Sequence, residues 1–139
     1  MYLFEQLFSK RLIVLFSLMA MGGGASMAKS FDFHGDAIRA LESILGGAWV
    51  LHATVATTLG FIAAWSTPVS YYHYHRLILS PWVLGLLVMV SLDELLQMFN
   101  PLREFSVLDL TINLFCVTLG ALLYVSFLKL KFPLGSKAV

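Results

Sequence analysis

The side chains best equipped for chemistry crowd into one stretch, SLDELLQMFNPLREFSVLDLTIN, residues 91–113. It holds Asp93, Glu94, Gln97, Arg103, Asp109 and Asn113. Glu94 and Gln97 are three apart, so on a helix they share a face; Asp109 and Asn113, four apart, do the same on the next helix. Asn100-Pro101 divides the two, because the residue before a proline is pushed out of the helical region. Arg103 sits in the turn with both acidic faces within reach. The chemistry open to this group is recognition of an anion, since a guanidinium grips phosphate or carboxylate through two parallel hydrogen bonds. In an enzyme, Glu94 or Asp109 would be the proton acceptor, although the pattern assigns no catalytic residue. The plain alternative is a Glu94–Arg103 ion pair closing a helical hairpin. Capping accounts for none of Glu94, Gln97 and Arg103. Asp93 points to a different face and is either solvated or paired with another helix.

Other polar residues read as structural. Ser106 and Asp109 fit a capping box, with the serine oxygen accepting from the Asp109 amide and the carboxylate bonding back. Pro101 is a helix stop. Asn113 suits a bond between two helices, and His52, a lone imidazole within an apolar run, suits the same role. No second spanning histidine exists to pair with His52 around a metal or haem. His73 and His75 flank Tyr74 in an aromatic cluster at headgroup level. Cys116 lies in an apolar run without a partner. No zinc motif, phosphate loop, nucleophile elbow or redox pair is present, so no metal and no cofactor is expected.

These groups need elements to carry them, and composition says what kind. Of 139 residues, 59% are hydrophobic and 12% charged, against about 45–50% and about 25% in soluble domains. A soluble chain this short could not hide so much apolar surface, so the solvent for most of it is lipid. A net charge of +1 gives no field for a polyanion and excludes nucleic acid. The pattern predicts one all-α domain, a polytopic transmembrane bundle of about four spanning helices near residues 12–28, 44–65, 77–99 and 107–128. Each meets the need for about 20 mostly apolar residues. The first is read as a retained helix; the rival reading is a secretory signal, with Lys10-Arg11, an apolar core and Ser26-Met27-Ala28. Phe33, Ile38 and Leu41 would form a brief amphipathic turn at the interface. Ser80-Pro81 would open or kink the start of the third span.

Lysine and arginine set the orientation. Lys10, Arg11, Arg76, Lys129, Lys131 and Lys137 fall on one side, and Lys29, Arg39 and Arg103 on the other. Both termini are therefore read as cytoplasmic, with the Asp93–Asp109 region facing outward.

The same polar stretch resembles the VanZ-like family of small bacterial membrane proteins. The residues that carry the resemblance are Asp93, Glu94, Gln97, Phe99, Pro101, Arg103, Ser106, Asp109, Asn113 and Gly120, with His52 at the family's second-helix histidine. Ala48 and Trp49 stand where that pattern has an acidic and a basic residue. The resemblance implies a four-helix protein of the bacterial inner membrane and cell envelope. It also implies a link to teicoplanin-type glycopeptide resistance, with an envelope lipid or glycopeptide-related ligand. Three classes of function stay open: an accessory protein binding an anionic or amphiphilic ligand at the outer face, a small membrane enzyme acting on a lipid-linked substrate, and a transporter. Four helices enclose little, so a transporter would work as a homo-oligomer. The first spanning segment, Leu12–Ala28, also lacks the carboxylate of small multidrug pumps.

Overall fold

A computed structural model of the chain describes residues 10–30, 35–75, 79–100 and 105–131, without the side chains of residues 29, 30, 35, 38, 39 and 73–75. Pro101, Arg103, Phe33, Arg76 and Lys137, and the side chains of Ile38, His73 and His75, thus lie outside the described residues. The described residues form helices and connections, with no strand. In order they are α1 (Lys10–Ser30), α2 (Gly35–Leu45), α3 (Ala48–Ser66), α4 (Val69–His75), α5 (Pro81–Gln97) and α6 (Val107–Lys131).

Three helices, α1, α3 and α6, are long and apolar enough to cross a membrane. The third predicted span differs from expectation. α5 has 17 residues and runs from Pro81 to Gln97 rather than from 77 to 99. Its start is set by Ser80, whose hydroxyl accepts from the Val83 amide at 3.3 Å, with Pro81 at the first helical position, where no amide is missed. Ser80-Pro81 thus begins the helix and does not kink it. The second predicted span also starts later, at Ala48. Residues ahead of it fold into α2, an amphipathic helix of 11 residues, ended by Gly46 and Gly47 at φ 95° and 127°. Only glycine takes such angles freely. Leu41, Ile44 and Leu45 lie exposed on α2.

The bundle is organised by one close crossing between α3 and α6. A β-carbon built on Gly60 would overlap the carbonyl of Val117 and lie 2.8 Å from its Cα; one on Gly120 would overlap the carbonyl of Thr57 and lie 2.7 Å from the Phe61 amide nitrogen. Backbone rests on backbone at both sites. Ala56, Gly60 and Ala64 supply a small-residue stripe at four-residue spacing, the pattern that lets helices in lipid approach closely. The two helices run in the same direction, since Phe61 and Tyr124, further along each, meet edge-to-face at 5.3 Å. α1 runs opposite to α3, with Arg11 at Trp65 and Gly22 beside Val55. It runs parallel to α5, with Phe16 against Trp82 near one end (5.8 Å) and Ser26 bonded to Asp93 near the other (2.9 Å).

The Arg11 end holds a knot of polar groups that sequence reading did not single out. The last carbonyls of α3 have no partner within the helix, and side chains supply them. The Thr67 hydroxyl donates to Ala63 (3.2 Å), the Tyr72 hydroxyl to Ala64 (2.9 Å) and the Arg11 guanidinium to Trp65 (3.2 Å). Arg11 also stacks over the Trp65 ring at 5.0 Å, a cation placed where the helix dipole favours one. Burial pushes the Tyr72 hydroxyl above its usual pKa, keeping it a donor. Each of these bonds ties the end of α3 to a neighbouring segment or to its own cap.

Candidate functional site

The opposite end of the bundle carries the residues selected by sequence. Glu94 is 1% exposed and Gln97 is 6% exposed, one turn apart on the face of α5 turned towards α6. The Gln97 amide donates to Glu94 Oε2 at 3.2 Å and, more weakly, to Asp93 Oδ2 at 3.4 Å. The Ser106 backbone amide donates to Glu94 Oε1 at 3.1 Å. One carboxylate therefore ties the end of α5 to the start of α6. Burying it is tolerable because both oxygens accept and because it lies where the α6 dipole is positive.

This arrangement corrects two expectations. Capping does account for Glu94: it satisfies an amide at the start of α6 from a neighbouring helix. The Ser106–Asp109 capping box forms only in its first half, with the Asp109 amide donating to the Ser106 hydroxyl at 3.1 Å. The returning half is taken by Glu94, leaving the half-buried Asp109 carboxylate with no hydrogen bond among the described residues. The alternative ion pair between Glu94 and Arg103 involves a residue outside the described set; the partners shown for Glu94 are Gln97 and Ser106.

Asp93 is exposed and pairs with another helix, accepting from Ser26 of α1. Asn113 and His52 are both half-buried, and neither forms the inter-helix hydrogen bond expected of it among the described residues. Cys116 is buried in the hydrophobic core. No group of three or more His, Cys, Asp or Glu among the described residues is placed to hold a metal ion. The shallow groove along α5, lined by Leu84, Leu87, Val88, Ser91 and Leu92, is apolar and lies away from these groups.

Both Glu94 oxygens already accept hydrogen bonds, so its carboxylate is committed to holding α5 and α6 together. Asp109 is the freer proton acceptor. Ser26 was not singled out by sequence. The signal that could have found it is register: Lys10-Arg11 fixes one end of α1, which places Ser26 about four turns along the bundle, at the acidic end.

No protein-family model matches the chain, and neither does any curated protein or solved structure.

Proposed function

We propose that the chain is a four-span protein of the bacterial inner membrane and cell envelope, VanZ-like in its polar stretch, whose working part is the Glu94 end of the bundle. Both termini are cytoplasmic, on the lysine and arginine distribution, and the Glu94 end faces outward. The observation that carries the reading is the buried Glu94 carboxylate joining α5 to α6 through Gln97 and Ser106. Ionisable groups inside membrane helices are costly and mark functional sites by default. With Glu94 committed to holding the hairpin, ligand recognition falls to the groups around it. Arg103, three residues before Ser106 in sequence, receives the anionic part of an amphiphilic ligand, and Asp109 and Asn113 serve the same ligand. Binding is favoured over catalysis because Glu94 is not free to move a proton. The resemblance makes altered teicoplanin susceptibility the phenotype to measure first in a deletion strain.

Two experiments test this. Reporter fusions after Lys137 and within Phe31–Leu41 should report cytoplasm and exterior respectively; an exterior signal from the Lys137 fusion overturns the orientation. For the site, the protein is reconstituted in phosphatidylcholine nanodiscs and titrated with phosphatidylglycerol. Arg103→Lys keeps the charge and loses the planar fork. It should weaken binding about tenfold, the scale of one charge-assisted hydrogen bond, with thermal stability unchanged. Equal binding by Arg103→Lys and the unmutated protein sinks the anion site.

A further inference from the structure

Charge is divided between the two ends of the bundle. Asp93, Glu94 and Asp109 lie at the end where Ser26 of α1 meets α5 and where α6 begins. Asp36 and Glu42 belong to α2, which joins the end of α1 to the start of α3 at that same end. No carboxylate among the described residues lies at the opposite end. There α1 brings Lys10 and Arg11, and the last turn of α6 brings Lys129 and Lys131. Trp65, Tyr71 and Trp82, all half-buried, sit at this end too. Tryptophan and tyrosine mark the headgroup level of a span, so these cations stand where lipid phosphates lie.

Arg11 differs from the cations around it. Lys10 and Lys129 are exposed, whereas Arg11 is half-buried and held from two sides. Its guanidinium stacks on the Trp65 ring at 5.0 Å and donates through Nη1 to the Trp65 carbonyl at 3.2 Å. Its own carbonyl accepts from the Ser66 hydroxyl at 3.0 Å. The start of α1 is thus pinned to the end of α3, and the guanidinium is set in place before any ligand arrives. Capping does not exhaust it. The bond to Trp65 engages one terminal nitrogen of a group with five N–H donors. The end of a helix offers only about half a negative charge. About half the charge of Arg11, and all that of Lys10 beside it, is left for an anion to neutralise.

We infer that Arg11 and Lys10, backed by Trp65, form a site between α1 and α3 for the phosphate of an anionic phospholipid. Phosphate presents paired oxygens that match the guanidinium fork. Two adjacent cations, with no described carboxylate at their end, select a lipid of net negative charge and repel the choline group of a zwitterionic one. On the orientation proposed above, this lipid belongs to the cytoplasmic leaflet. The site shares no residue with the Glu94 end, so the two readings stand or fall separately.

Trp65 reports on the site directly. In a Trp49→Phe, Trp82→Phe protein it is the sole tryptophan. That protein is reconstituted in phosphatidylcholine nanodiscs, and its fluorescence is followed as phosphatidylglycerol brominated on its acyl chains is added, or brominated phosphatidylcholine in its place. Bromine quenches only at close range. The anionic lipid should quench at about tenfold lower mole fraction, the scale of one charge-assisted hydrogen bond. Arg11→Lys keeps the charge without the planar fork and should lose most of that preference. Lys10→Gln should lower it about fivefold, the effect of one basic residue at an anionic surface. Lys129→Gln, at the same end but outside the site, should leave it unchanged, as should Arg103→Lys. Inorganic phosphate in solution should not relieve the quenching; relief would mean a site for free phosphate and overturn the lipid. Equal quenching by the two lipids with Arg11 intact overturns the site without any variant at it having to fold. Equal losses in Lys10→Gln and Lys129→Gln, with none in Arg11→Lys, would mean a diffuse basic collar and overturn it as well.

Discussion

Gly120→Leu is expected to break the bundle. The position facing it is not a flexible side chain that could swing aside but the Thr57 carbonyl and the Phe61 amide nitrogen of α3. Overpacking an ordinary core costs about 1–3 kcal/mol. Here two backbones must separate, which also loosens Val117 and Ala121, both fully buried, so at least about 3 kcal/mol is expected. Gly60→Leu meets the Val117 backbone and should behave alike. Gly85 on α5 provides the control, since a β-carbon there meets nothing within 4 Å. Gly85→Ala should be neutral, or stabilising by up to about 1 kcal/mol through helix propensity. Thermal unfolding in detergent, followed by helical circular dichroism, reads all three. A Gly120→Leu protein melting with the unmutated one would mean that α3 and α6 do not cross there.

Glu94→Ala is the second large effect. The truncation removes the acceptor for the Ser106 amide and for the Gln97 side chain in a place water barely reaches. Leaving such donors unsatisfied costs about 1–3 kcal/mol each, although bonds in membrane bundles average about 0.6 kcal/mol by double-mutant cycles; a net loss of about 2 kcal/mol follows. Glu94→Gln keeps an oxygen for Ser106 and should lose roughly half as much. Ser106→Ala removes the hydroxyl that caps the Asp109 amide and should cost about 1 kcal/mol. Asp109→Asn should fold normally, because its carboxylate completes no cap. Stability equal to the unmutated protein in Glu94→Ala would show that the carboxylate does not hold the hairpin. A larger loss in Asp109→Asn than in Ser106→Ala would restore the full capping box.

The helical class of this chain was legible because lipid demands long uninterrupted apolar runs, and α1, α3 and α6 stand out for that reason alone. Boundaries were harder. The apolar residues Ile44 and Leu45 read naturally as the start of a span, yet Gly46-Gly47 turns the chain and assigns them to α2. The pairing of Glu94 with Gln97 was visible in their three-residue spacing. Its link to Ser106 was not, because a backbone amide carries no residue signature. Gly120 entered the family resemblance as one position among ten. That it lies against α3 required knowing which helix passes by, a fact that Gly120 and the small-residue stripe of α3 suggest only together. His52 read as a helix-to-helix hydrogen bond, which it does not form among the described residues, because what faces it depends on the parallel register of two helices about sixty residues apart in the chain.

The brevity of α5 bears on the surrounding bilayer. Seventeen residues reach about 26 Å, while the 25 residues of α6 reach about 38 Å, against a hydrocarbon thickness of about 30 Å. With both crossing as proposed, no single membrane thickness suits the pair. α6 is relieved by tilting, but α5 cannot lengthen, so lipid on its flank must thin by a few ångströms, at a modest cost per ångström. With Pro81 fixing the start of α5, thinning at the far end draws headgroups and water inward towards exposed Asp93. The annulus beside the acidic end is then a dimple, and a lipid diffusing past is brought down towards the depth of Asp93 before any side chain touches it.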